Sequence, residues 1–216
     1  MNSKEIFSHI DHSALKAYTT WAEIKKLCEE ALQYIMASVC IPQSYVSRAK
    51  TAFGNQINIC TVIGFPLGYN TTDVKVFETH DAIKNGADEI DMVVNLGLVK
   101  AGDFDAVSEE IQQVKTACGE KILKVIVETC YLTDDEKKQL CKCVTQATVD
   151  YIKTSTGFGP SGAAPEDILL FKQNIGAGVK IKAAGGIRSY DDFVKYIELG
   201  CDRIGTSSAL TILDSL

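Results

Sequence analysis

Lys153 lies in the stretch YIKTSTG (151–157), which otherwise reads as a buried strand: Val149, Tyr151 and Ile152 lead into it, and Thr154 and Thr156 are β-formers. A strand in that setting is apolar on both faces, so a charge within it is costly unless it is paired or functional. Lys182, in VKIKAAGG, follows one strand–helix unit later. Lysines at one height on adjacent strands are near neighbours, and their repulsion plus partial desolvation is expected to lower the pKa of at least one amine. A free lysine is neutral in only about one molecule in a few thousand at pH 7; bringing its pKa to about 7 makes half the molecules nucleophilic, at a cost of roughly 4–5 kcal/mol. Such an amine attacks a carbonyl and forms a Schiff base. Iminium chemistry then needs a proton shuttle. Asp91, in EIDMVVN, is the candidate, and a cap at the strand start is its plain structural alternative.

Other strand runs also carry charge: Asp11, Lys124 with Glu128, and Lys180. Each by itself can mark a strand end that reaches solvent. As a set, acids and lysines converge on one mouth. Lys180 precedes Lys182 by a two-residue step and is read as structural.

The last two strand runs end AAGGIR and GTSSAL. Barrel enzymes often hold phosphate in the loops after strands seven and eight. Gly185 and Gly186 let backbone N–H groups approach an anion closely, and Gly157 can contribute from the loop after Lys153. Gly205, Ser207 and Ser208 would add donors and hydroxyls with a helix N-terminus behind them. Taken singly, either loop reads as turn glycines and an N-cap serine. Arg188 either adds charge or caps the next helix.

These residues need elements to position them. Eight apolar β-type runs occur: HIDHSAL, ASVCI, INICTVIGF, EIDMVVNL, ILKVIVET, YIKTST, VKIKAAGG and RIGTSS. Helix patterns lie between them. Thr20 with Glu23, Thr133 with Glu136, and Ser189 with Asp192 have capping-box spacing, and Gly86 and Gly200 close helices. NGADEID and LGCDRIG echo one another as helix end, Asp and strand. Alternating strands and helices imply a parallel sheet, and eight units imply a closed (β/α)8 TIM barrel, one domain over 1–216. An open doubly wound sheet is the runner-up; no G-x-G-x-x-G follows an early strand to support a dinucleotide fold.

The composition sets bounds. The chain has 216 residues, 46% of them apolar and 23% charged, which is enough to bury a sizeable core. Its net charge of −6 offers no nucleic-acid footprint or polybasic membrane patch. No run approaches transmembrane length, and MNSKEIFSHIDHS lacks a signal-peptide core, so a cytoplasmic protein is expected. The eight cysteines form no C-x-x-C pair and are read as buried free thiols of a reducing compartment. His9, His12 and His80 are too few and too poorly partnered for a three-ligand metal site, so neither metal nor cofactor is expected.

Together YIKTSTGF, IKAAGGIR, CTVIGFPLG, EIDMVVN, KVIVETCYLT and IGTSSAL resemble the deoxyribose-phosphate aldolase family of class I aldolases, from IDHSALK to the final strand. The resemblance implies a (β/α)8 barrel that reversibly cleaves 2-deoxy-D-ribose 5-phosphate to D-glyceraldehyde 3-phosphate and acetaldehyde, in deoxyribonucleotide catabolism. It implies Lys153 as the Schiff-base lysine, Lys182 as its proton-relay neighbour and Asp91 as proton donor and acceptor. It places the phosphate on Gly157, Gly185, Gly186, Gly205, Ser207 and Ser208. It also implies sugar-phosphate and aldehyde ligands and a small homo-oligomer. Two departures stand out. Some members place a lysine directly after K-T-S-T-G, where this chain has Phe158; phosphate affinity would then rest more on backbone donors. Some carry a C-terminal tail ending in tyrosine, whereas this sequence ends at Leu216. The rival readings are a lysine-dependent barrel aldolase of transaldolase type and a non-catalytic sugar-phosphate-binding barrel.

Overall fold

The computed structural model describes residues 1–211. Eight parallel strands close into a barrel: β1 (Ile10–Ser13), β2 (Ser38–Ile41), β3 (Ile59–Ile63), β4 (Glu89–Val93), β5 (Ile122–Ile126), β6 (Tyr151–Lys153), β7 (Lys180–Ala184) and β8 (Arg203–Thr206). β1 pairs with both β2 and β8, which completes the ring. A short α1 (Ser3–Phe7) precedes the barrel. The crossovers carry α2 (Trp21–Tyr34), α3 (Gln43–Phe53), α4 (Thr72–Lys84), α5 (Leu96–Ala101), α6 (Phe104–Cys118), α7 (Asp134–Gln146), α8 (Pro165–Asn174) and α9 (Tyr190–Leu199). The TIM-barrel expectation therefore holds, and the open sheet does not occur.

Local chemistry sets where the helices begin. All three predicted capping boxes form, at Thr20/Glu23, Thr133/Glu136 and Ser189/Asp192. Each ends a loop leading from the C-terminal end of a strand, so the caps fix the rim of the barrel mouth. Gly200 closes α9 in the left-handed conformation that lacks a Cβ penalty.

The strands bury two chemically different faces. Ile90, Met92, Leu123, Val125, Ile152 and Ile181 pack with Val107, Ile111, Leu140, Val144 and Phe171 of the helices into one apolar layer. Each such side chain contributes on the order of 1.5–3 kcal/mol by leaving water. The other face holds Asp11, Glu89, Asp91, Lys124, Lys153 and Lys182, all buried. Stability thus comes mainly from the layer between sheet and helices, and the lumen carries the charge.

Several strands are shorter than their apolar runs. β6 ends at Lys153, so Thr154 and Thr156 leave the strand. β5 ends at Ile126; Glu128 lies beyond it with φ of 53°, so its reading as a strand charge is corrected. Past these ends the chain turns outward to build the mouth, and strand propensity yields to loop geometry. A second buried ion pair lies away from the lumen: Lys75 of α4 donates to Glu110 of α6 at 2.8 Å and to the Val93 carbonyl at 2.8 Å.

Candidate active site

Alternation along the strands brings charges from six of them into the lumen. Lys153 ends β6, Lys182 is central in β7, and the two are register partners. Between them stands Asp91 of β4. Its Oδ2 accepts from Lys153 Nζ and Lys182 Nζ, both at 2.7 Å. Its Oδ1 accepts from Lys124 Nζ at 2.9 Å and from Cys60 Sγ at 3.1 Å. Asp91 is therefore embedded in the cluster, and its alternative as a strand-start cap is set aside.

A second tier lies beneath. Asp11 Oδ2 is 2.5 Å from Lys182 Nζ and 3.4 Å from Lys124 Nζ. Asp11 Oδ1 accepts from Ser38 Oγ at 2.8 Å and from Arg203 Nη1. Glu89 Oε2 pairs with Lys124 at 2.5 Å, and its Oε1 with Arg203 Nη2 at 3.1 Å. Among the described residues, Lys124 thus pairs with Asp11, Glu89 and Asp91, Lys182 with Asp11 and Asp91, and Lys153 with Asp91 alone. Lys153 is the amine least committed to carboxylates.

At Lys182 the electrostatics run against the expectation that a crowding ammonium lowers an amine's pKa. Burial does oppose charge on Lys182, but Asp11 and Asp91 outweigh it and push that ammonium above the ordinary lysine range. Lys124 is driven up in the same way, by Asp11 and Asp91 against its burial. Burial likewise opposes charge on Asp91, yet Lys124, Lys153 and Lys182 hold its carboxyl well below the usual range. The carboxylates sit between the cations, so neighbour attraction replaces neighbour repulsion.

The phosphate candidates separate into two groups. Gly157, Gly185 and Gly186 occupy loops at the mouth with φ of 86°, 85° and 79°. A Cβ on Gly185 would lie 2.9 Å from Gly162 Cα, so the two loops pack backbone to backbone. Ser207 and Ser208 follow β8 beside them: Thr206 Oγ1 donates to the Ile187 carbonyl at 2.8 Å and accepts from Ser208 N–H at 3.0 Å. Gly205 is instead a residue of β8, placed below the loops. A Cβ there would meet Lys182 Cε at 3.1 Å, so this glycine leaves room for the lysine. The helix expected behind Ser208 and the C-terminal end of the chain fall largely at 212–216, outside the described residues. Arg188 is exposed, and its backbone N–H donates to Asp192 at 3.3 Å, as a helix cap would.

Cys40, Cys60 and Asp91 bring metal-donor atoms within 4.8 Å of one another. A cation there would meet the ammoniums already on Asp91, so the cluster is suited to ion pairing. His12 Nε2 donates to Glu30 Oε2 at 2.9 Å and His9 Nδ1 donates to the Asp202 carbonyl at 2.9 Å; both tie elements together. The cysteines among the described residues are free, and burial pushes Cys28, Cys118, Cys141 and Cys201 up to about 12. No helix among the described residues is long and apolar enough to cross a membrane.

Sequence reasoning passed over Glu89 and Arg203. The available signal was parity: Glu89 is two residues before Asp91, and Arg203 two before Gly205, so each shares a face with a residue already singled out.

Residues 6–211 match the family model described as "DeoC/LacD family aldolase". A deoxyribose-phosphate aldolase of Clostridioides difficile is 57% identical over 97% of this chain and 96% of its own length. One from Clostridium botulinum is 55% identical over 99% and 96%. Among solved structures, the aldolase QR15 superposes with a TM-score of 0.93 at 38% identity, covering 98% of this chain and 95% of that one. The deoxyribose phosphate aldolase of Aeropyrum pernix, described as a unique tetramer, gives 0.92 at 32% identity over 99% and 92%.

Proposed function

The chain belongs to the DeoC/LacD aldolase family, and from that premise we propose that it reversibly cleaves 2-deoxy-D-ribose 5-phosphate to D-glyceraldehyde 3-phosphate and acetaldehyde through a Schiff base on Lys153. The observation that carries this reading is the single Asp91 oxygen 2.7 Å from both Lys153 Nζ and Lys182 Nζ.

In the synthetic direction, Lys153 first gives a proton to solvent; the neutral amine adds to the acetaldehyde carbonyl, and the carbinolamine hydroxyl takes a proton from solvent and leaves as water, giving an iminium ion. The iminium carries its positive charge on the nitrogen where the ammonium had it, so Asp91 keeps its counter-charge. A proton then leaves the carbon next to the iminium through a water relay between Asp91 and Lys182, and the electron pair left behind forms the enamine. The enamine carbon attacks the aldehyde of glyceraldehyde 3-phosphate, whose oxygen takes up a proton. The phosphate is held by backbone donors around Gly157, Gly185 and Gly186, with Ser207 and Ser208 beside them. Gly205 serves the site by accommodating Lys182. Water hydrolyses the product iminium and frees Lys153. Asp11, Glu89, Lys124 and Arg203 touch no reacting atom; they are positioning residues that hold Asp91 and Lys182 in place.

The test is to treat the protein with acetaldehyde and borohydride and map the adduct by peptide mass spectrometry. An ethyl group on Lys153, absent in Lys153→Ala, is expected. Turnover with no lysine adduct would end the reading. A requirement for a ketose donor would favour a transaldolase-type enzyme, and binding without turnover a non-catalytic barrel.

A further inference from the structure

Glu128 carries a buried carboxylate just past the end of β5. Its φ of 53° puts a residue with a full side chain in the left-handed region. Backbone of that kind persists where its surroundings over-determine it, and such positions gather at functional sites.

The surroundings here are the loop after β6. Glu128 Oε1 accepts from Thr156 N–H at 3.2 Å, and Oε2 accepts from the Thr156 hydroxyl. That hydroxyl oxygen accepts in turn from Phe158 N–H at 3.0 Å. The N–H groups of both residues flanking Gly157 are therefore bound, one by the carboxylate directly and one through the hydroxyl. Gly157 itself turns with φ of 86°. A Cβ built on Gly159 would lie 2.9 Å from Cys130 Sγ and 3.3 Å from Glu128 Oε1, so the loop lies against the carboxylate where a side chain would hold it off.

One step deeper, backbone bonds alone join the same two segments. Val127 N–H donates to the Lys153 carbonyl at 3.0 Å, and Thr129 N–H to the Thr154 carbonyl at 2.9 Å. The reactive lysine is thus held by the main chain, and the turn at Gly157 by the Glu128 side chain.

This division matters for a substrate anion. Phe158 brings no ammonium to the loop. Attraction there falls to backbone N–H groups, which serve best when their directions are set before the anion arrives. The charge of Glu128 opposes an anion, so its contribution is the geometry it imposes.

We propose that Glu128 is a positioning residue for the phosphate end of the substrate: acting through Thr156, it fixes the turn at Gly157 that the phosphate meets. The inference rests on the aldolase reading and its phosphate loops, and names what orders one of them.

The test measures kcat and KM for deoxyribose 5-phosphate cleavage beside the rate of Lys153 trapping by acetaldehyde and borohydride. Glu128→Leu is expected to raise KM about tenfold while kcat stays within about threefold and trapping within about twofold. Glu128→Gln keeps an acceptor for Thr156 N–H without the charge, and should hold KM within about threefold of the parent. Thr156→Val removes the hydroxyl link and is expected to raise KM about fivefold. The two residues act in series, so Glu128→Leu with Thr156→Val should raise KM no further than Glu128→Leu alone. A KM within about twofold of the parent in Glu128→Leu overturns the proposal. So does trapping that slows as much as KM rises, which would mean general loosening of β5 and β6. If Glu128→Leu does not fold, Thr156→Val decides: an unmoved KM there overturns the proposal as well. A parent that gives no lysine adduct defeats the aldolase mechanism and this inference with it, whereas a parent adduct with unmoved KM in the variants defeats this inference only.

Discussion

Lys153 and Lys182 donate to the same oxygen of Asp91 although they are register partners on adjacent strands. Two ammoniums that close would repel; one carboxylate oxygen between them makes the arrangement attractive and links the amines by hydrogen bonds. On the proposed mechanism this is the proton path.

Replacing Lys182 should therefore slow proton transfer more than adduct formation. Lys182→Met is expected to lower kcat for deoxyribose 5-phosphate cleavage by about 10²–10⁴-fold. Lys153 should still be trapped by acetaldehyde and borohydride. Steady-state kinetics beside adduct mapping check this, and a kcat within about tenfold of the parent would falsify the relay role.

Asp91 should also contribute stability in a defined pH window. Against its burial, Lys124, Lys153 and Lys182 hold its carboxyl well below the ordinary 3.8. The folded chain then keeps the carboxylate charged where the unfolded chain binds a proton. The contribution is full above 3.8 and is lost as pH falls through the folded value. The melting-temperature gap between the parent and Asp91→Asn should be widest near neutrality and narrow below about pH 4. A gap that grows on acidification contradicts the assignment.

Gly205→Ala probes the space around Lys182. The new Cβ would lie 3.1 Å from both Lys182 Cε and Ala184 Cβ. Overpacking of this kind costs about 1–3 kcal/mol. Displacement of the amine should cost more in turnover, about 10²-fold in kcat. Thermal melts and kinetics on one preparation separate the two effects; full activity at reduced stability would show that the lysine does not move.

The Lys75–Glu110 pair links α4 and α6 on the helix side of the sheet. Burial pushes Lys75 down and Glu110 up, with each partner opposing the other's shift. Lys75→Met leaves a buried carboxylate and is expected to destabilise by about 3–5 kcal/mol, most of it recovered in Lys75→Met with Glu110→Leu. Urea denaturation measures both variants. A double variant no better than the single one would place the loss in packing.

Much of this was legible because it is local. Thr20/Glu23, Thr133/Glu136 and Ser189/Asp192 are caps whose partners lie three residues apart, and all three form. Lysine or aspartate in a buried strand is conspicuous for the cost of burying it, so Lys153, Lys182 and Asp91 stood out, and the structure brings them together. Glu128 was misplaced because KVIVET reads as unbroken strand; only the turn at the mouth takes it out of the sheet.

The amino-acid sequence by itself determined the eightfold alternation of strand and helix and the residue types that could do chemistry, since periodicity, capping and burial cost act within a few residues. Tertiary structure decided which charge meets which. Barrel closure brings β1 and β8 beside each other and sets Asp11, Glu89 and Asp91 among Lys124, Lys153, Lys182 and Arg203. The same closure carries Phe65 to Phe158. Side-chain alternation assigns a residue to the lumen, but the register of distant strands sets its height there. Electrostatic attraction or repulsion between lumen charges follows from separations of a few ångströms that only the closed barrel defines.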